Sequence, residues 1–281
     1  MRIVCSIVAL LAVYVLVQTG ATIIDLIMVH GNMNAWHVDW VLFISSIITS
    51  VIIICWAWWR GDLWNIRTIN WKWSPLMLFI TILGMMGTDI LNELLNVGNL
   101  DMMDQLFGDL SDSPIGILAV AVFGPICEEI LFRGGIEGAM LKNGVRPWIA
   151  IVVSAFLFGA IHMNPGQLLP AALGGVMFGI LYWKTRSIIP GIICHVVNNS
   201  LSVWGMRDEV FNEQDTFTSL FGSWWVTLVA FIIITILVAW VYKIYIKSRP
   251  TLVLAAEETE VEIPTEEETE VLEENNEDSQ L

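Results

Sequence analysis

The chain has 281 residues, of which 56% are hydrophobic and 15% charged, with a mean hydropathy of +0.69 and a formal net charge of −15. That balance excludes an ordinary soluble domain, and the absence of long basic stretches excludes a nucleic-acid binder. The negative charge is local: residues 257–281 hold twelve acidic residues and no basic one, and the rest of the chain carries only −3.

A helix needs roughly 20 apolar residues to cross a hydrocarbon core. In chain order, eight apolar runs approach or exceed that length: residues 3–29, 40–59, 74–97, 113–141, 147–163, 168–183, 187–204 and 223–246. The fifth to seventh are short. The first run is longer than the roughly 7–15 residues of a signal h-region and has no A-x-A-like cleavage site, so it reads as a retained span. Cys5, Cys55, Cys127 and Cys194 all fall inside apolar runs without CxxC spacing. They are expected to be small buried hydrophobes rather than disulfides or metal ligands.

The connections between runs carry the orientation signal. Arg2 precedes the first run; Arg60, Arg67 and Lys72 follow the second; Lys142 and Arg146 follow the fourth; Lys184 and Arg186 follow the sixth; Lys243, Lys247 and Arg249 end the eighth. The alternate connections (30–39, 98–112, 164–167 and 205–222) hold one basic residue, Arg207. This is the positive-inside pattern, and it predicts eight spans with both termini cytoplasmic. Tryptophans such as Trp40, Trp58, Trp148, Trp183 and Trp224 fall near run ends, as interfacial belts require. There is no internal repeat and no Gly-rich phosphate loop. The predicted fold class is therefore all-α: a polytopic membrane protein.

The acidic tail is too charged and too poor in bulky apolar residues to offset the entropy of ordering it, so it is expected to be disordered. The expected organisation is three N-terminal spans in 1–112, a candidate core in 113–205, an external connection and last span in 206–250, and the tail in 251–281.

Ionisable groups inside a span cost at least about 2.5 kcal/mol at the centre and usually mark function. The fourth run holds Glu128, Glu129, Arg133 and Glu137; the fifth ends on His162; the seventh holds His195, Asn198 and Asn199. Asp25, Asp89, Asn92 and Glu93 lie elsewhere, and the three carboxylates sit toward run ends, where solvated or capping roles suit them. Glu129 and Arg133 are i,i+4 and can form an ion pair. Glu128, rotated about 100° away, has no local cation and is left free to act as a general base. His195 and Asn199 are also i,i+4, as are Phe158 and His162. Counted from the basic connections, Glu128 lies roughly 21 Å deep, His162 about 24 Å, Asn199 roughly 20 Å and His195 roughly 13 Å. These groups share a middle band, so one cavity can hold them. The rival reading is structural: an intramembrane His or Asn is often helix–helix glue, and Glu129–Arg133 can be a structural pair.

The segments E128-E129-x-x-x-R133, F158-x-x-x-H162 and H195-x-x-x-N199 resemble, in order and placement, the three motifs of the CPBP intramembrane proteases, also called the CAAX protease and bacteriocin-processing or ABI family. The resemblance covers about residues 113–205. It implies a glutamic intramembrane endopeptidase in which Glu128 and His162 activate a water and His195 and Asn199 form an oxyanion hole. Glu129, Arg133 and Phe158 support them. It implies a multi-pass protein of a bacterial cell membrane, acting on a membrane-anchored, lipidated (CAAX-like) protein or peptide. No cofactor and no bound metal are expected from it. A zinc-dependent variant is the alternative chemistry, since one Glu and two His are able to ligate Zn²⁺. A non-enzymatic bacteriocin-immunity factor or proton-linked carrier is the alternative function.

Overall fold

A computed structural model describes residues 2–28, 37–59, 74–207 and 216–248, and every regular element among them is helical. In chain order these are α1 (Arg2–Met28), α2 (Val38–Trp59), α3 (Ser74–Leu94), α4 (Asp101–Asp112), α5 (Pro114–Lys142), α6 (Pro147–Ala160), α7 (Pro165–Thr185), α8 (Ile189–Arg207), α9 (Phe217–Phe221) and α10 (Trp224–Lys247). The expectations placed on residues 29–36 and 208–215, on Arg60, Arg67, Lys72 and Arg249, and on the acidic tail lie outside the described residues.

Each of the eight apolar runs is a helix. Six of them (α1, α2, α3, α5, α7 and α10) are long and apolar enough to cross a membrane. The other two differ from expectation: α6 has 14 residues, roughly 21 Å of helix, and α8 carries too many polar residues along its 19 to read as uniformly apolar. Two further helices lie where only connections were expected. The stretch 98–112 contains α4, whose residues Met103, Leu106, Phe107, Leu110 and Ser111 turn inward at helical spacing while Asp101, Asp104, Asp109 and Asp112 stay out. Because the stripe is periodic rather than continuous, a search for apolar runs passes over it. The one-turn α9 lies within the expected connection 205–222.

Lipid and core faces separate clearly. Only 6% of the span in α1 and 11% of that in α10 is buried, against 56% in α7. Val8, Leu16 and Ile24 of α1 and Trp225, Ile233 and Trp240 of α10 point outward. Apolar surface on that scale is intolerable in water and natural in a bilayer. The protein is an integral, multi-pass membrane protein. The cysteine expectation needs correction: Cys127 and Cys194 are buried, but Cys5 and Cys55 are exposed on α1 and α2. In a bilayer the outer face is as apolar as the core, so an apolar run does not reveal which of its residues are inside. All four thiols are free.

The central element is α5. Residues 130–137 are all buried, and they form a π-helical stretch, with a second π-helical turn at Ala119–Phe123. Such wide turns are rare and cluster at functional sites. The wide geometry is supported from outside the helix: Ser154 Oγ of α6 donates to the Phe132 carbonyl at 3.0 Å. Helices α6 and α7 form a tight αα-hairpin. Gly175 makes it possible, because a Cβ there would lie 3.0 Å from Ala155 Cα. Two apolar clusters flank α5 and α7. One joins α3, α7 and α10 through Met77, Ile80, Phe178, Leu181 and Tyr242. The other joins α1, α2, α5 and α6 through Leu10, Ile53, Leu131, Phe132 and Phe158. Polar bonds tie the outer helices in, as Thr81 Oγ1 to Tyr242 Oη at 2.6 Å and Ser45 Oγ to Gln18 Oε1 at 2.6 Å.

Candidate active site

The polar residues of the three middle-band segments converge where α5, α6, α7 and α8 meet. Arg133 is wholly buried, with Nη1 2.9 Å from Glu129 Oε1 and Nη2 donating to the Gly175 carbonyl at 3.2 Å. Nη1 and Nε have no aligned hydrogen-bond acceptor among the described residues, so the contact with Glu129 is an ion pair by proximity rather than an aligned hydrogen bond. The guanidinium also lies over two aromatic rings, 4.6 Å from the Phe158 centroid and 5.1 Å from that of Phe178. These cation–π contacts offset part of the cost of its removal from water.

Glu129 joins this pair to α8. Its Oε1 accepts from His195 Nδ1 at 3.2 Å, and the carboxylate is completely buried. The close approach of α8 depends on Gly191, where a Cβ would stand 2.6 Å from Glu129 Oε2. The other nitrogen of His195, Nε2, lies 3.6 Å from Glu128 Oε2. One imidazole therefore bridges the two adjacent glutamates. With Nδ1–H given to Glu129, Nε2 donates as well only when the ring holds both protons. Phe178 stacks on the ring at 5.2 Å and Phe158 meets it edge-on at 5.6 Å, which fixes its plane.

Of the two glutamates, Glu128 keeps access. Its side chain is 16% exposed while that of Glu129 is fully covered. The free carboxylate expected from helical rotation is the accessible one.

His162 sits on the far side of Phe158, with ring centroids 5.1 Å apart in an edge-on arrangement. Its Nδ1 is 2.8 Å from the Phe158 carbonyl. A carbonyl only accepts, so Nδ1 carries the proton and Nε2 presents a lone pair. Among the described residues no hydrogen bond or ion pair joins His162 to Glu128; the imidazole in direct reach of Glu128 is that of His195. Asn199 Nδ2 donates to the Val120 carbonyl, in the π-helical turn of α5, at 3.1 Å. The amide has a second N–H, and its Oδ1 accepts weakly from Asn198 Nδ2 at 3.4 Å.

Phe178, Gly191 and the carbonyls of Gly175 and Val120 belong to this arrangement and are not singled out by the sequence. The small-residue pattern Gly174, Gly175, Gly179 on α7 is the one signal of close helix approach there. Glu137 is present in the fourth run but stands apart. It is fully buried, neither carboxylate oxygen has a hydrogen-bond partner among the described residues, and it packs against Gly179 of α7. Among the described residues, no three or more His, Cys, Asp or Glu side chains are grouped so as to hold a metal ion.

The fold and the site define a class: a helical membrane protein whose core encloses an accessible carboxylate backed by a Glu–Arg–His cluster. Residues 111–201 match the family model of type II CAAX prenyl endopeptidase Rce1-like proteins. The chain is 32% identical over 99 residues to "Putative membrane peptidase YdiL" of Bacillus subtilis, and 35% identical over 97 residues to "Membrane-embedded CAAX protease MroQ" of Staphylococcus aureus. These alignments cover 35% and 32% of this chain and 40% and 38% of the two relatives. The matched segment is similar to the CAAX protease family, whose motifs the three segments resemble. No solved structure matches the chain.

Proposed function

We propose that the protein is an intramembrane endopeptidase that hydrolyses a peptide bond of a membrane-associated protein or peptide through a glutamate-activated water. The observation that carries this reading is the division of labour between neighbours: Glu129 is enclosed by Arg133 and His195, while Glu128 remains partly accessible and faces the same imidazole. Glu128 takes a proton from the water as its oxygen attacks the carbonyl carbon. His162, whose free lone pair is at Nε2, accepts the second hydrogen bond of that water. The developing oxyanion is met by the unused N–H of Asn199 and, with the His195 ring carrying both protons, by His195 Nε2–H. Collapse of the tetrahedral intermediate breaks the C–N bond, and the proton held by Glu128 passes to the leaving amine. The names of the relatives support a CAAX-type substrate, lipidated or otherwise anchored in the bilayer.

The topology belongs to the same proposal: eight spans, with α6 crossing with one face against α5 and α7, α8 crossing against α3, α5 and α7, and both termini cytoplasmic. A short or polar helix is tolerated at membrane depth when other helices shield it.

The test is cleavage by the full chain reconstituted in liposomes, using candidate membrane proteins recovered by crosslinking to the Glu128→Gln variant. That substitution keeps shape and removes the basic oxygen, so turnover is expected to fall by at least roughly 10²-fold. Chelation is expected to leave turnover unchanged. Loss on chelation, restored by Zn²⁺, would replace this mechanism with a metal-dependent one, and an active Glu128→Gln enzyme would remove Glu128 as the base. Wild-type chain that captures partners but cleaves none would favour the immunity or carrier reading.

A further inference from the structure

A cavity of about 630 Å³ lies beside the candidate active site, between the C-terminal half of α3, α8 and the start of α9. Its size falls within the roughly 300–1,000 Å³ typical of ligand pockets. Asn198 lines the cavity and donates to Asn199 of the candidate site at 3.4 Å.

The wall of this cavity has a definite chemistry. Its described lining contains two carboxylates, Asp89 and Glu93, and no basic side chain. The two carboxylates differ. Glu93 is committed to structure, accepting the backbone N–H groups of Phe217 and Thr218 at 2.6 and 2.9 Å. Asp89, one helical turn earlier, has no hydrogen bond or ion pair among the described residues. Between them Asn92 spends its amide N–H groups on the carbonyls of Val97 and Gly166, and its Oδ1 is buried with no partner there. The polar face of the cavity thus offers acceptors and negative charge. The remainder is apolar and aromatic, including Leu201, Trp204 and Phe217. A cationic group on an aliphatic stem complements both parts, with carboxylate oxygens for its N–H donors and aromatic faces for its charge.

We propose that this cavity binds a lysine or arginine side chain of the peptide substrate, held by Asp89. Resting on the endopeptidase reading, it makes the preferred substrate an apolar segment with a basic residue near the scissile bond. The contact of Asn198 with Asn199 favours a peptide side chain over a lipid headgroup, because a residue in this cavity places its own backbone beside Asn199.

The test uses the full chain in phosphatidylcholine nanodiscs, with cleavage silenced by Glu128→Gln. The probes are a dansylated apolar hexapeptide containing one lysine and its glutamine counterpart. The lysine peptide is expected to bind about tenfold more tightly, as for a hydrogen bond to a charged group. Adding Asp89→Asn is expected to bring the ratio close to one while leaving the glutamine peptide unaffected, and Asp89→Glu to retain the preference. A ratio near one without the Asp89 change, or an unchanged ratio in Asp89→Asn, would overturn the proposal. So would loss of the lysine preference when phosphatidylethanolamine is added, since an ethanolamine headgroup would then be the occupant. Incubating wild-type chain with the same peptides separates the two readings. Cleavage of neither peptide, with the Asp89-dependent ratio intact, removes the proteolytic reading alone; cleavage of both with a ratio near one removes the cavity assignment alone.

Discussion

At the scale of single residues, His195 is the hinge of the site. It contacts both members of an adjacent glutamate pair, and its plane is set by Phe158 and Phe178. Arg133 stands behind it. Arg133→Ala leaves Glu129 buried without its cation, which is expected to destabilise the fold by about 3–5 kcal/mol, read as loss of folded yield and a lower Tm in detergent. Full stability with lost activity would instead give Arg133 a direct part in the reaction. Gly191→Ala tests the same cluster from α8: the new methyl group meets Glu129 Oε2 and forces it aside. We expect a drop in Tm by an overpacking cost of about 1–3 kcal/mol, and unchanged stability would show that α8 yields there. Asn199→Ala removes one oxyanion donor and is expected to lower kcat by roughly 10²–10³-fold with KM little changed. A change confined to KM would place Asn199 in substrate binding.

At the scale of elements, the π-helical stretch of α5 sets what its side chains can reach. It runs from Ile130 to Glu137, directly after Glu129, and Arg133 inside it reaches from Glu129 to the Gly175 carbonyl of α7. The bond from Ser154 to the Phe132 carbonyl ties this stretch to α6, the helix that carries Phe158 and precedes His162. Ser154→Ala orphans that buried carbonyl and is expected to cost about 1–3 kcal/mol, measurable as a shift in thermal unfolding. An unchanged Tm would mean that the wide turns stand without outside support. None of this was legible from the spacing. The i,i+4 relation of Glu129 and Arg133 announced the ion pair correctly, but the sequence gives no sign that the helix widens there.

At the scale of the whole molecule, the distribution of lipid-facing and buried surface agrees with a bilayer as solvent. Among the described residues six helices meet the length and apolarity of a span, while α6 packs one face on α5 and α7 and leaves Trp148, Ile149, Val152 and Phe156 exposed on the other. Reporter fusions after Lys142 and Lys184 are expected to lie in the cytoplasm and fusions at Asp104 and Asp215 outside it. A reporter at Lys142 on the external side would overturn the eight-span arrangement. The cavity at the end of α3 and α8 belongs to this scale too, because residues far apart in sequence line it and no local pattern foretells it.

Hydropathy and charge asymmetry were enough to make this chain an all-helical membrane protein and to locate eight helices, because lipid imposes a strong, local demand on every residue that faces it. Two polar pairs at i,i+4 spacing, with Glu128 and His162 beside them, were enough to mark the candidate site, since buried charge is rare and expensive. The tertiary structure alone decided which partners those residues take. The resemblance has Glu128 and His162 share a water; the packing of α8 against α5 adds His195, with Nε2 3.6 Å from Glu128 Oε2, and Phe158 touches both imidazoles. The tertiary structure also decided that α4 is a helix and that two of the four cysteines face outward. Periodicity fixes which face of a helix a residue occupies. The neighbour that covers that face is set by how the helices cross, and that depends on small residues such as Gly175 and Gly191, whose lack of a side chain lets the helices approach.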